Sequence, residues 1–260
     1  MLASCMKIGE LPLYMTSESV EVMNWLEMYC KHQDDGKVLG EVKVHVDWGW
    51  GKPFTSFDVD ITRDAKWIVY NRGDYQVKID SNYEHAIVSV HDAFALKHAL
   101  MNLYSAVIVH LEWGLLIHSS CVVKGKGAYL FAGRSGAGKS TVAQLSSPSP
   151  LLSDEATIVK ITASAVIVYD SPFRSDTIPD VMVEPCPLAA IHVIHQANYV
   201  RRSVKKKIEG IYDLMDKVFY WPHEATETAK ILRLYDNLVA NVPIYDLYFK
   251  KDKTFWEEIS

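Results

Sequence analysis

The chain has 260 residues, 49% of them apolar, and a formal charge of −5 at neutral pH. That is enough apolar material for a real core in one large or two modest domains. The acidic balance argues against nucleic acid or an anionic membrane as the main partner, because both reward a basic surface. A peptide, a protein or a small molecule is expected instead. Cys5, Cys30, Cys121 and Cys186 stand far apart, with neither redox nor metal-ligand spacing, and read as reduced thiols in a cytoplasmic protein.

The stretch Met1 to Leu13 lacks the basic-then-apolar layout of a signal peptide. Residues 1 to about 90 read as mostly β. Val42–Val46, Phe57–Ile61, Trp67–Tyr70 and Ala86–Val88 are short, partly alternating runs set off by Gly, Asp and Asn. Ser19 to Lys31 is the helical exception. The tryptophans of Trp48-Gly49-Trp50-Gly51 suit either a recognition loop or, as tryptophans beside turn glycines more often do, the cover of a small core. A β-rich accessory domain over residues 1–92, shaping a substrate site, is expected to precede a nucleotide-binding domain over 93–260.

From Ala93 to Trp113 apolar residues fall on almost every side of a helical wheel, the pattern of a helix buried between layers. The most apolar stretch, Ala99 to Ile117, is interrupted by Asn102, His110 and Glu112, whereas a membrane span needs about 20 predominantly apolar residues. Leu115 to Val123 follows as a strand containing His118. Lys124-Gly125-Lys126-Gly127 then turns tightly into a second strand, Ala128 to Ala132. With Gly125-Lys126 as a two-residue turn, His118 falls opposite Gly133, and opposed residues sit about 5 Å apart.

Gly133-Arg134-Ser135-Gly136-Ala137-Gly138-Lys139-Ser140, followed by Thr141, is a strand–glycine loop–helix junction with a lysine and a hydroxyl at its end. Such glycines let successive backbone N–H groups turn inward around a phosphate, and the helix N-terminus adds partial positive charge. Lys139 is placed to reach the outer phosphates of a nucleoside triphosphate and Ser140 to bind the accompanying Mg²⁺. After the Ser146–Pro150 break, Leu151-Leu152-Ser153 leads into the adjacent carboxylates of Asp154 and Glu155. Such groups can hold Mg²⁺ through water and take a proton from an attacking hydroxyl, although acidic pairs are also common in surface turns.

These three motifs, I-H-S-S-C-V-V, G-R-S-G-A-G-K-S-T and L-S-D-E, in this order and close together, resemble the nucleotide core of the HPr kinase/phosphorylase family, which shares its fold with the ATP-dependent phosphoenolpyruvate carboxykinases. The resemblance is close over Ile117 to Val159, looser through Ser171–Arg174 and Pro187–Ile191, and absent from residues 1 to 90. It implies an α/β or mixed α+β fold with a carboxykinase-like core. His118 would match an active-site histidine, Lys139 and Ser140 the phosphate lysine and metal hydroxyl, and Asp154 and Glu155 the paired acids that handle Mg²⁺ and the acceptor proton. Glu155 stands where that family has aspartate, which leaves the division of labour within the pair open. Carboxykinases are much longer chains. In size and layout the chain is similar to kinases that accompany ribosomally made peptides such as lasso peptides, with a serine hydroxyl as acceptor. The implied reaction is ATP- and Mg²⁺-dependent phosphorylation of a serine on a peptide or protein, and the family is often homo-oligomeric. A small-molecule kinase acting on free serine and a non-catalytic, nucleotide-gated binding module are the rival readings.

Beyond the core, Arg174 in Asp170–Asp176 is a candidate clamp on the transferring phosphoryl group, because guanidinium matches phosphate in a bidentate way. A solvated loop arginine is the equal alternative, and Arg134 is a second candidate. Leu188 to Ile194 reads as a buried strand. The odd spacing of His192 and His195 sends them to opposite faces and removes them as a metal pair. The basic run Arg201 to Lys207 suits a solvated face, or attraction of an acidic peptide. Pro222 to Val242 carries a helical stripe, Ala225, Ala229, Leu232, Tyr235, Leu238 and Val242. Pro243–Phe249 reads as a last strand and Lys253–Ile259 as a terminal helix.

Overall fold

A computed structural model describes residues 1–29, 41–175 and 183–259. Cys30, Lys31 and Asp176, which the sequence reading touched, lie outside them. The chain divides into two compact units, 1–110 with 220–228, and 111–219 with 229–260. The architecture is mixed α/β. Among the described residues no helix is long and apolar enough to cross a membrane.

The first unit contains β1 (Leu2–Ile8), β2 (Leu11–Ser17), α1 (Val20–Tyr29), β3 (Val42–Trp48), β4 (Asp60–Arg63), β5 (Trp67–Arg72), β6 (Tyr75–Asp80), β7 (His85–Val90) and α2 (Ala93–His110). Its seven described strands form one sheet in the order β1-β2-β3-β7-β6-β5-β4. Alternation drives it: Val42, Val44 and Val46 are buried while Lys43 is exposed, the period of two that buries one face. The expected Phe57–Ile61 strand begins only at Asp60. The turn glycines beside the tryptophans are required, since Gly51 has φ +80° and a Cβ there would meet the Gly73 carbonyl oxygen at 2.5 Å.

Helix α2 corrects the expected boundary at residues 92/93, because it packs on β6 and β7 and belongs to the first unit. It is apolar almost all round, and thirteen of its residues are buried, so it needs cover on several sides. Its one internal amide is held on the donor side, where Asn102 Nδ2 donates to the Tyr75 hydroxyl at 3.1 Å.

The second unit contains β8 (Gly114–Lys124), β9 (Gly127–Ala132), α3 (Lys139–Leu145), β10 (Leu151–Ser153), β11 (Ala156–Ile161), β12 (Val166–Tyr169), β13 (Cys186–Gln196), β14 (Arg201–Val204) and α4 (Lys207–Met215). Helix α5 (Ala225–Asn241), β15 (Ile244–Phe249) and α6 (Phe255–Ile259) complete the chain. The path β10-β8-β11-β12-β13-β15-β14 is joined by β9, which pairs with both β8 and β13. Strands β8, β11, β12, β13 and β9 therefore close a ring. Closure removes edges from the strands that carry the glycine loop. A core of Phe131, Val142, Ile194, Phe249, Phe255 and Trp256 packs beneath that loop. On α5 the buried residues include Ile231, Leu234, Tyr235, Leu238 and Val239; Tyr235 and Leu238 are buried as expected, whereas Ala225, Ala229 and Leu232 of the expected stripe are exposed.

Candidate functional site

The β8–β9 hairpin has the register its turn dictates, Lys124 opposite Gly127 through Ser119 opposite Ala132. The expected pair of His118 with Gly133 does not form, because β9 leaves the ladder at that point. Lys217 and Val218 take its place: the His118 N–H donates to the Lys217 carbonyl at 2.6 Å and Val218 bridges Ile117. On its other side His118 faces Ala156, the residue after the acidic pair. The Ser119 N–H also donates to the Glu155 carbonyl at 3.0 Å.

The loop's geometry depends on glycine. Gly136 has φ +75° and Gly138 φ +105°, and a Cβ on Gly138 would meet Phe249 Cζ at 2.8 Å. The loop then enters α3, where the Val142 N–H donates to the Gly138 carbonyl at 2.9 Å. Lys139 is buried, and its ammonium lies back over the loop, donating to the carbonyls of Gly133 at 3.2 Å and Arg134 at 3.4 Å.

His118, Lys139, Ser140, Thr141, Asp154 and Glu155 line one cavity of 360 Å³, together with Ser135, Gly136, Gly138, Ser175 and Gln196. Asp154 is buried and its carboxylate is fixed by Ser175, whose N–H donates at 3.0 Å and whose hydroxyl donates at 3.3 Å. Glu155 is half-buried beside it. Behind the pair lies a buried hydroxyl cluster. Ser119 Oγ and Thr157 Oγ1 are 2.7 Å apart, Ser153 Oγ and Thr157 Oγ1 are 2.5 Å apart, and Thr157 also reaches the Ser119 carbonyl at 3.3 Å. The cluster ties β8, β10 and β11 together around the Asp154-Glu155 turn.

Burial, then the Lys139 ammonium, pushes the His118 imidazole down to about 4, against a pull from Glu155. At neutral pH the ring is uncharged, with a lone pair for a metal or a hydrogen bond. Burial, then Lys217, also lowers Lys139, with Glu155 opposing. Lys217 is thus a second buried cation close to the loop, paired with Asp216.

On the far side of the loop a larger chamber of 840 Å³ is bounded by Gly133, Arg134 and Ala137, the end of β13 and the end of α4. Gly133, Arg134 and Ala137 line this chamber and not the smaller cavity. Ser135, Gly136 and Gln196 line both.

Arg174 is placed apart from the other candidates. It lines neither space. Its guanidinium is buried and donates to the Asp170 carboxylate at 2.5 Å, to the Leu151 carbonyl at 2.8 Å and to the Ser171 carbonyl at 3.0 Å. These acceptors hold it behind β10, where it braces the strand that presents the acids. His192 and His195 also occupy different surroundings. His192 is buried and stacks on Phe131 with centroids 5.2 Å apart, while His195 Nε2 bonds Asp246 at 2.8 Å.

Ser140, Asp154 and Glu155 form an all-oxygen donor set. Among the described residues no group of three or more His, Cys, Asp or Glu forms a metal cage. Magnesium takes one or two carboxylates and completes its shell with water and substrate phosphate, so the donors present fit it. Lys217, Ser175, Gln196 and Thr157 were missed from the sequence. Only Ser119 and Thr157 had a local signal, hydroxyls at otherwise apolar strand positions. No protein-family model matches the chain, and no curated protein matches it.

Proposed function

We propose that the chain is a kinase that transfers the γ-phosphoryl group of ATP, with Mg²⁺, to a serine hydroxyl of a peptide or protein. The observation that carries this reading is the convergence of His118, Lys139, Ser140, Asp154 and Glu155, from three separate segments, on one 360 Å³ cavity. The resemblance of the motifs to the HPr kinase core points the same way.

In this reading Lys139 and the loop amides hold the outer phosphates. Ser140 and Asp154 hold Mg²⁺, which when bound neutralises charge on the phosphates; the two donors from Ser175 keep the Asp154 carboxylate oriented for that task. Glu155 takes the proton of the acceptor hydroxyl as its oxygen bonds to phosphorus and the bond to the ADP oxygen breaks. The neutral His118 ring orients the carboxylates or the metal. The size and layout shared with lasso-peptide kinases support a ribosomally made precursor peptide as the acceptor.

The test is incubation with ATP and Mg²⁺ and either a serine-containing peptide library or free amino acids, read by mass spectrometry. A phosphate adduct on peptide serine is expected. An adduct on free serine alone would replace the acceptor, and ATP binding with no adduct on any acceptor would favour a nucleotide-gated binding module.

A further inference from the structure

Helix α4 presents an apolar stripe to solvent. Ile208, Tyr212 and Met215 are 72%, 78% and 54% exposed, and their spacing places them on one face. The opposite face is held close to the sheet, because a Cβ on Gly210 would meet Ile244 Cδ1 at 2.6 Å and Leu214 is fully buried. The close approach at Gly210 determines which side of α4 looks outward. Tyr212 and Met215 thereby become one wall of the 840 Å³ chamber whose other wall is the glycine loop.

We propose that this chamber takes the nucleoside half of the nucleotide, with the base laid on Tyr212 and Met215. The inference rests on the phosphate reading above. Three observations favour a nucleoside over other occupants. The chamber adjoins the cavity of the acidic pair, and Ser135, Gly136 and Gln196 line both. Its volume lies within the roughly 300–1,000 Å³ of small-molecule sites. Its lining also combines cations with apolar surface: Arg134 and Lys217 line it beside Tyr212 and Met215, and its two carboxylates, Asp213 and Asp216, are each paired with a lysine, Lys205 and Lys217. A flat base gains by stacking on such a ring whatever its sequence of polar edges. Tyr212 would then be a binding residue for the base, and Lys217 the cation at the junction of nucleoside and phosphates.

Calorimetric titration of the full chain with Mg²⁺ plus ATP, and separately with Mg²⁺ plus inorganic tripolyphosphate, separates the two halves of the ligand. Tyr212→Ala is expected to weaken ATP about tenfold and to leave tripolyphosphate unchanged, while Tyr212→Trp keeps ATP affinity. The side chain is so exposed that its loss does not threaten folding, which circular dichroism verifies. Unchanged ATP affinity in Tyr212→Ala would overturn the proposal and leave the stripe to the acceptor peptide. Equal weakening of both ligands would overturn it as well. A wild-type chain that binds tripolyphosphate but gains nothing from the nucleoside refutes only this inference, whereas one that binds neither ligand refutes the phosphate reading and this one with it.

Discussion

The main-chain N–H of His118 donates to the carbonyl of Lys217 at 2.6 Å, at the place where β9 parts from β8 to become the glycine loop. The bond has two consequences. It fixes the strand position that carries the imidazole, and it brings a second lysine to a site that already holds Lys139. Because Ala156 pairs with His118 from the other side, the acidic pair is held one residue away by the same strand.

The acidic pair should separate binding from transfer. Asp154→Asn and Glu155→Gln are each expected to lower kcat by about 10²-fold or more, with ATP affinity lowered less in Glu155→Gln than in Asp154→Asn. Steady-state kinetics beside calorimetric ATP titration checks this. Full turnover in both variants would sink the kinase reading.

The hydroxyl cluster behind the pair is expected to matter through position. Thr157→Val leaves the buried hydroxyls of Ser119 and Ser153 short of a partner and should cost about 1–3 kcal/mol of stability, read by urea denaturation. Turnover should fall while KM for ATP stays close to wild type, since the variant disturbs the turn that presents the acids and not the loop. Thr157→Ser, which keeps the hydroxyl, should restore both.

Arg174 is expected to behave as a brace. Arg174→Ala leaves the Asp170 carboxylate without its buried cation and the Leu151 and Ser171 carbonyls without the guanidinium, at a cost of about 3–5 kcal/mol in stability. In protein that remains folded, the affinity for inorganic tripolyphosphate should stay within about twofold of wild type. A large, selective loss of that affinity at unchanged stability would return Arg174 to the phosphate.

Acid should destabilise the second unit through His192. Burial, then the Arg202 guanidinium, pushes its imidazole from 6.5 down to about 3. The unfolded chain therefore takes a proton below 6.5 that the folded chain refuses until about 3. The contribution is complete above pH 6.5 and is lost as pH falls toward 3, at up to about 1.4 kcal/mol per pH unit. His192→Phe, which can still stack on Phe131, should flatten the dependence of the urea midpoint on pH across that window. An unchanged slope would show that other groups control acid unfolding.

Much of the second unit was legible in local chemistry. The hairpin turn, the glycine loop, the strand containing His118 and the acidic pair are set by residues a few positions apart, and the hairpin register followed from Gly125-Lys126 alone. The alternating valines of β3 and the all-round apolar α2 were equally plain, because burial imprints a period on the chain. What the long-range contacts decided is of another kind. Helix α2 joined the first unit because its faces found cover on β6 and β7, which no local period specifies. Arg174 became a brace because Asp170 and the carbonyls of β10 happen to surround it. Lys217 reached the site from about eighty positions beyond Lys139, carried there by backbone pairing with β8. Spacing along a chain reports which neighbours share a turn or a face. Which distant segments share a cavity depends on the closure of the strand ring and on the side of α4 that Gly210 lets approach the sheet.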